Sequence, residues 1–330
     1  MRQISVGKNE ENQRLDKFLL KYLNQAPASF VYKMLRKKNI TLNKKKASGK
    51  EKISLGDEIC LFLSEETIIS FQEKKEFPIY QKKLEVLYED ENISLINKPA
   101  GMLSQKAKDE DVSACEYYIS QLLREKKISQ KDLETFHPAV CNRLDRNTSG
   151  ILCCGKTLAG SKYLSSILKN RSLHKYYLAI VSGKLSGKRR MQAFLKKEEI
   201  PNKVKIYDRE KEGSVAIETV YESLVAKEDF SLVKVELITG KTHQIRAHLA
   251  SIGHPILGDG KYGNKKIVDK SGKERLIKRQ MLHAYCVEFP KESDGGDIFV
   301  EEKKCFAPLP QDFKDTLYFL GCKEEVYEGK

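Results

Sequence analysis

The sequence predicts an α+β fold with two domains: a larger one with a mixed, mainly antiparallel central sheet flanked by helices and loops, and a small N-terminal αα/β unit. At 330 residues the chain is longer than most single domains and can bury a substantial core. In the larger part, strand candidates outnumber helix candidates and hairpins are frequent, which favours antiparallel pairing over a doubly wound sheet. The N-terminal part begins instead with two amphipathic helices.

The small domain is predicted at residues 1–63 and combines two helices with short strands. In the second helix Phe30, Val31, Met34 and Leu35 form an apolar stripe, and basic residues occupy the other side. The predicted elements are helices at 14–24 and 29–38, strands at 40–43, 53–55 and 59–63, and a lysine turn at 44–46.

The net charge of +14 is concentrated near the N-terminus. Between Arg14 and Lys52, twelve Lys or Arg accompany only two acids, Asp16 and Glu51, which puts +10 into 39 residues. Such a patch suits a phosphate backbone or an anionic membrane surface, and a solvated basic surface is the alternative. A membrane is less favoured, because no apolar run approaches the roughly 20 residues of a span and the start lacks the apolar core of a secretory signal. The residues expected to contact nucleic acid are Arg36, Lys37, Lys38 and Lys44.

A polar linker is predicted at 64–80, and the larger domain at 81–330. For residues 186–213, which are dense in Lys and Glu, the sequence leaves open either a hairpin or a mobile insertion that touches a substrate. The other predicted elements are helices at 112–125 and 158–170 and strands at 84–88, 93–97, 151–154, 175–181, 216–226, 232–238 and 283–289.

The eight cysteines include no C-x-x-C pair, so neither a zinc ribbon nor a thioredoxin-like redox centre is indicated. Cys153 and Cys154 are neighbours in an apolar strand, and their side chains should point to opposite faces of the sheet. We interpret the cysteines as reduced packing residues and expect a cytoplasmic location. No metal is predicted, because the five-residue spacing of His243 and His248 turns them away from a shared helical face.

Two glycine motifs match phosphate-binding patterns in letters only. Gly150–Thr157 fits G-x-x-x-x-G-K-T, but Ile, Leu and two Cys between the glycines predict a strand whose N–H groups are committed to a ladder. Gly258–Gly263 fits G-x-G-x-x-G, yet no strand leads into it and no convincing helix follows. We predict a strand at the first motif and a turn at the second.

The segment Asn142–Gly150 places one carboxylate, Asp145, between Arg143 and Arg146, directly before the apolar strand. An ionised Asp at the mouth of a sheet can serve as a nucleophile or a base. The flanking arginines favour its charged form and attract an anionic polymer. A turn that carries a surface salt bridge is the alternative interpretation.

This segment resembles the R-L-D-x-x-T-S-G motif of pseudouridine synthases of the RluA type, and further segments resemble that family in the expected order. The resemblance covers about residues 84–290. One departure is Asn142, where family members commonly have His; because Asn can both donate and accept hydrogen bonds, we infer a supporting position. The further segments are 175–183 (K-x-Y-x-A-x-V-x-G), 239–249 (T-G-R/K-x-H-Q-I-R-x-H), 254–259 and 282–284.

The N-terminal region 14–63 is similar to the small RNA-binding domain, of ribosomal-protein S-four type, that many of these enzymes carry. Within it, residues 27–37 resemble members that act on large-subunit ribosomal RNA. The resemblance therefore implies that RNA is the partner.

The resemblance implies an enzyme that isomerises uridine to pseudouridine in structured RNA without a cofactor. It implies that Asp145 is the catalytic nucleophile or base, that Tyr177 stacks on the detached uracil, and that Arg246 pairs with Asp145. Leu282 would close the apolar wall of the pocket, and Arg143 and Lys98 would contact RNA or brace the site. The alternative is a non-catalytic RNA-binding or ribosome-assembly protein. A monomer with no small-molecule cofactor and no membrane partner is expected.

Overall fold

The computed structural model describes residues 1–72, 76–198, 203–268, 272, 274–290, 300 and 304–322. The helices are α1 (Leu15–Tyr22), α2 (Ala28–Arg36), α3 (Glu65–Ser70), α4 (Ala114–Arg124), α5 (Leu158–Lys169), α6 (Gln244–Ser251) and α7 (Gln311–Phe319), with a 3₁₀ turn at Asp132–Glu134. The strands are β1 (Arg2–Ser5), β2 (Ile40–Leu42), β3 (Lys45–Lys46), β4 (Glu58–Leu61), β5 (Glu85–Glu89), β6 (Ile93–Lys98), β7 (Ala139–Val140), β8 (Ser149–Gly155), β9 (His174–Ser182), β10 (Lys188–Lys197), β11 (Val204–Tyr207), β12 (Val215–Ala226), β13 (Phe230–Leu237), β14 (Lys266–Val268), β15 (Glu274–Leu276), β16 (Leu282–Glu288) and β17 (Lys304–Phe306).

The N-terminal part is a four-stranded antiparallel sheet in the order β1-β4-β2-β3, with α1 and α2 beside it. The predicted stripe of α2 is confirmed: Val31, Met34 and Leu35 are buried in a core that also takes residues from α1 and β4. The exposed side of this part carries the lysines and the arginine predicted to contact nucleic acid, namely Arg36, Lys37, Lys38 and Lys44.

Three details of this region differ from the predictions. Residues 53–55 form no strand: the backbone of Ile53 hydrogen-bonds to Asn12 and Gln13, which lie outside any strand, while its side chain is buried in the core. The predicted turn at 44–46 includes β3, a strand at the edge of the sheet. Both of its residues are exposed lysines, so the sequence shows no alternation of apolar and polar residues there. The predicted linker at 64–80 contains α3, which starts at the N-cap Ser64 and buries Ile68 in the N-terminal core.

The larger sheet runs in the order β11-β10-β12-β13-β9-β16-β8-β6-β5, with β7 beside β8 and β17 beside β16. Among the described strands, β8 and β16 make the one parallel pair, in which Ser149 is opposite His283 and Gly150 is opposite Ala284. Gly150 has φ +113°, and a Cβ there would overlap the Ala284 backbone. Only glycine therefore fits where the segment Asn142–Gly150 enters the sheet.

Helices cover both faces of this sheet. One core takes residues from α4, α6 and α7, and the opposite core takes residues from α5. Cys154 lies in the first core and Cys153 in the second, which confirms their predicted opposite orientations. The α+β class with a mainly antiparallel sheet is also confirmed.

The insertion at 186–213 contributes β10 and β11, which pair as an antiparallel hairpin; residues 199–202 lie outside the described part of the chain. The first glycine motif is confirmed as a strand, since Gly150, Gly155 and the four residues between them all lie in β8. Its lysine, Lys156, donates to the Asp90 carbonyl at 2.7 Å and pairs with Glu89. None of the described helices has the length and apolar content to cross a bilayer.

Candidate active site

The segment between β7 and β8 carries Asp145 and is fastened to the sheet by Asn142. The Asn142 carboxamide oxygen accepts from the Cys153 N–H at 2.7 Å, and its nitrogen donates to the Ile151 carbonyl at 3.4 Å. Both halves of the amide are therefore used on β8, which confirms the predicted supporting position. Asp145 itself keeps about 26% of its side chain exposed, so it is open to a ligand on one side.

Lys98, at the end of β6, lies fully buried beneath this segment. Its ammonium donates to the carbonyls of Pro99, Met102 and Arg146 at 3.0, 2.9 and 3.1 Å. Burial, with a smaller effect of the Arg279 charge, lowers the pKa of Lys98 to about 7. Of the two functions that the sequence left open for Lys98, its burial and its carbonyl partners favour bracing of the Asp145 segment, and contact with RNA stays a prediction.

Arg246, in the first turn of α6, connects Asp145 to a second carboxylate. Its Nη1 donates to Asp145 Oδ2 at 2.7 Å, while Nε and Nη2 donate to the two oxygens of Asp259 at 2.7 and 2.8 Å. Burial opposes the charge of Arg246, but the hydrogen bonds and charge of Asp259, with a further effect of Asp145, raise its pKa above the usual range. The predicted contact between Arg246 and Asp145 is present.

Asp259 was not singled out by the sequence, although it lies in the quoted segment 254–259 and in the second glycine motif. That motif is a turn, as predicted, and it directs Asp259 inwards: the carboxylate is fully buried and accepts from the N–H groups of Lys261 at 2.9 Å and Tyr262 at 3.3 Å. Burial alone would raise the pKa of Asp259, but the hydrogen bonds and charge of Arg246 outweigh it and lower the pKa.

The backbone enters α6 through His243, which has a left-handed φ of 54°. Its Nε2 lies 3.9 Å from Asp145 Oδ2, and its Nδ1 lies 3.1 Å from the Tyr262 hydroxyl. Burial lowers the pKa of His243, against a weaker opposing effect of Asp145. A neutral imidazole and a charged guanidinium thus flank the same carboxylate.

Gln244, the next residue, uses all of its polar atoms to hold the start of α6. Its amide oxygen accepts from the Thr239 hydroxyl at 2.9 Å and the Lys241 N–H at 3.1 Å. Its amide nitrogen donates to the Glu218 carbonyl and the Thr219 hydroxyl, both at 3.0 Å. The position of Arg246 is therefore set by the sheet as well as by Asp259.

A cleft opens over Asp145, with Tyr177 of β9 and Leu282 of β16 in its wall. Tyr177 is 5% exposed, and burial, with a smaller effect of Asp145, raises its pKa. Arg143 is exposed at the edge of the cleft. The residues that line the cleft are Arg143, Leu144, Asp145, Thr148, Tyr177, Leu237, Lys241, His243, Gln244, Ile245, Arg246 and Leu282.

In this arrangement a guanidinium holds one carboxylate. An aromatic ring and an aliphatic side chain line the cleft above it, which is open to solvent. From one side, the guanidinium of Arg246 donates at 2.7 Å to this carboxylate. Such a group can attack an electrophilic carbon or remove a proton, while the ring and the aliphatic wall receive a flat ligand. Among the residues that the structure describes, no three or more His, Cys, Asp or Glu are grouped as metal ligands would be.

Comparisons with known proteins give matches over most of the chain. A family model described as RNA pseudouridylate synthase matches residues 92–251, which include Asp145, Tyr177 and Arg246. An uncharacterized RNA pseudouridine synthase of Mycoplasma genitalium is 32% identical over 289 residues, covering 87% of this chain and 88% of that protein.

The ribosomal large subunit pseudouridine synthase C of Haemophilus influenzae is 30% identical over 306 residues, 90% of each chain. Its namesake from Buchnera aphidicola is 31% identical over 323 residues, 96% of each. Among solved structures, human RNA Pseudouridylate Synthase Domain Containing 4 superposes with a TM-score of 0.55 at 20% identity, over 72% of this chain and 92% of that one. That last likeness concerns the fold alone.

Proposed function

Because this chain belongs to the RluA-type family of RNA pseudouridine synthases, we propose that it isomerises specific uridines of large-subunit ribosomal RNA, with Asp145 as the nucleophile or base. The observation that carries the assignment to Asp145 is its 2.7 Å contact with Arg246 at the floor of a cleft lined by Tyr177 and Leu282. The large-subunit target is supported by the names of relatives such as the Haemophilus influenzae protein.

The reaction exchanges two bonds and moves one proton. The bond from the ribose C1′ to N1 of uracil breaks, the base rotates, and a bond from C1′ to C5 forms. C5 then loses its proton, and N1 gains one, so that no redox step or external group is needed. The detached uracil must stay in the site between the two bond changes, so the site must hold a flat ring closely.

Asp145 can assist this exchange in either of two ways. Its carboxylate can attack C1′ and form an ester that the rotated base then displaces. It can instead remove the proton at C2′ and produce a glycal, to which the base adds with return of that proton. In both routes the carboxylate must be charged at the start, and the contact with Arg246 holds one of its oxygens at 2.7 Å from the guanidinium.

Tyr177 and Leu282 are suited to hold the base during its rotation. The Tyr177 ring lies in the cleft wall, nearly buried, and aromatic rings are common stacking partners for unstacked RNA bases. Leu282 contributes apolar surface that forms no hydrogen bond to the ring edge, so it does not favour one orientation of the rotating uracil. Arg143, exposed at the edge, is placed to contact a phosphate.

The target nucleotide has to leave the RNA stack to reach Asp145, at a cost of about a few kcal/mol. Contacts between phosphates and basic side chains can offset that cost. The exposed residues Arg36, Lys37, Lys38 and Lys44 supply such contacts in the proposal. The division into residues 1–63, a linker and a catalytic domain stays a prediction, as do the monomeric state and the cytoplasmic location.

The test is to map pseudouridine chemically in ribosomal RNA from cells that lack this protein and from the same cells supplied with wild type or Asp145→Asn. We expect positions that lose pseudouridine in the deletion and regain it with wild type alone. Asp109→Asn, a change at an exposed carboxylate outside the cleft, is the matched control and should restore every site. Full restoration by Asp145→Asn would refute the assignment to Asp145, and an unchanged modification map in the deletion would refute the ribosomal target.

A further inference from the structure

Tyr262 lies behind the residues that line the cleft and contacts Arg246 and His243, the two groups that flank Asp145. Its ring lies over the Arg246 guanidinium, with 5.3 Å between the guanidinium carbon and the ring centroid. Its hydroxyl lies 3.1 Å from His243 Nδ1, and the two rings meet edge to face at 5.7 Å. With Asp259 bound to two of its nitrogens, Arg246 is therefore held along one edge and over one face.

The Tyr262 hydroxyl also reaches a different part of the chain, the β10–β11 hairpin. It accepts from the backbone N–H of Val204, the first residue of β11, at 3.0 Å. β11 is the terminal strand of the large sheet and pairs with β10. The hairpin ladder includes a bond from the Glu198 N–H to the Lys203 carbonyl, so the Val204 N–H points away from β10, where Tyr262 satisfies it.

The same hairpin packs against the helix that carries Arg246. Ala193 and Leu195 of β10 and Val204 of β11 form a small apolar cluster with Ala247 of α6, and Tyr262 packs against this cluster. Arg246 and Ala247 are adjacent in sequence, so a shift of the hairpin acts on the backbone that sets the guanidinium. The hydroxyl of Tyr262 is a polar link between that hairpin and the residues around Asp145.

We propose that Asp259 and Tyr262 are positioning residues for Arg246, and that Tyr262 ties the alignment of Arg246 with Asp145 to the docking of the β10–β11 hairpin on α6. The inference rests on the proposed function of Asp145. Neither residue lines the cleft, so both act through Arg246 and not by touching RNA. Loss of either should lower the rate of the chemical step and leave RNA binding intact.

The experiment measures kcat and KM for pseudouridine formation on large-subunit ribosomal RNA isolated from cells that lack the protein. Tyr262→Phe keeps the ring over Arg246 and removes only the hydroxyl; we expect kcat to fall about tenfold with KM unchanged. Asp259→Asn removes the charge that faces two guanidinium nitrogens, and kcat should fall about 100-fold. Tyr207→Phe is the control, because its side chain points to the opposite face of β11 from Val204 and Ile206.

The link to the hairpin is tested by Val204→Pro, which removes the N–H that Tyr262 accepts; proline is tolerated there because that N–H lies outside the ladder. If one hydrogen bond carries the effect, the double variant with Tyr262→Phe should lose no more kcat than the larger single change. If the kcat of the double variant instead falls by the product of the two single losses, the link to the hairpin is overturned. If Tyr262→Phe leaves kcat unchanged or only raises KM, the positioning role is overturned. An inactive wild type would instead refute the proposed function.

Discussion

Ser104 and Leu144 exchange two hydrogen bonds next to Asp145: the Ser104 hydroxyl donates to the Leu144 carbonyl and accepts from the Leu144 N–H, both at 2.9 Å. Ser104 is 3% exposed, so water does not readily replace it. A single hydroxyl thus satisfies both backbone groups of the residue that precedes Asp145.

Ser104→Ala should therefore loosen the Asp145 segment. Two buried backbone groups lose their partner, and the free energy of unfolding should fall by about 1–3 kcal/mol. Because Asp145 follows directly, kcat for pseudouridine formation should fall as well. Chemical denaturation and steady-state kinetics measure the two effects.

Ser231→Ala is the matched control for this change. The Ser231 hydroxyl likewise accepts from the Leu185 N–H at 2.8 Å and donates to the Gly183 carbonyl at 2.9 Å, away from the residues that line the cleft. It should cost similar stability and leave kcat unchanged. Equal losses of kcat in both variants would show that the Ser104 effect is general destabilisation.

Gly150→Ala should prevent correct pairing of β8 with β16. The added Cβ overlaps the Ala284 backbone, and the residue also needs a φ of +113°. We expect a loss of folded protein, measured by circular dichroism and solubility. Gly187→Ala has a similar positive φ of +77° but nothing within 4 Å of its Cβ, so it should cost only about 1 kcal/mol of backbone strain. A folded Gly150→Ala variant as stable as Gly187→Ala would contradict the close approach.

Stability should fall between about pH 6.5 and pH 4 because of two buried histidines. Burial lowers the pKa of His248 and of His283 to about 4. The unfolded chain takes up protons near pH 6.5 while the folded chain resists them, so this stability is complete above pH 6.5 and is lost as the pH falls. Each histidine contributes on the order of 3 kcal/mol across the window.

His248→Gln should reduce that pH dependence by about half, as measured by urea denaturation at a series of pH values. A wild-type slope in His248→Gln would show that His248 is not the origin of the effect.

The basic residues of the N-terminal part should affect RNA binding through counterion release. Removing a side chain that contacts a phosphate should lower the slope of log K against log salt by about 1. Filter binding at several salt concentrations, with large-subunit ribosomal RNA, measures this for Lys37→Gln and Lys44→Gln. Lys126→Gln, an exposed change after α4, should leave the slope as in wild type, and equal slopes in all variants would argue against the predicted contact surface.

The elements that the sequence predicted well have a strong local pattern. The stripe of α2 and the apolar run of β8 appear in the structure close to the predicted bounds. By contrast, α6 buries Gln244, Arg246 and His248 along with its apolar residues, so it shows no apolar stripe that a periodicity would reveal.

At the site, the contact between Asp145 and Arg246 was predictable because both residues lie in recognisable motifs. Asp259 was missed because a lone acid in a turn gives no sign that it is buried against a guanidinium. The bracing role of Lys98 was left open for a similar reason: its partners are backbone carbonyls, which no side-chain pattern marks. Contacts of this kind depend on tertiary packing.

The groups that hold Asp145 come from both sides of it in the chain: Lys98, Ser104 and Asn142 precede it, whereas the guanidinium groups follow it. Arg246 comes 101 positions later, Asp259 later still, and Arg279, which donates to the Asn147 carbonyl, is itself clamped by Asp312. During synthesis a ribosome-bound chain therefore displays the aspartate long before its guanidinium partner has emerged. A chain truncated shortly before α7 should therefore contain the complete motif and the Arg246 contact, yet lack the carboxylate of Asp312 that holds Arg279.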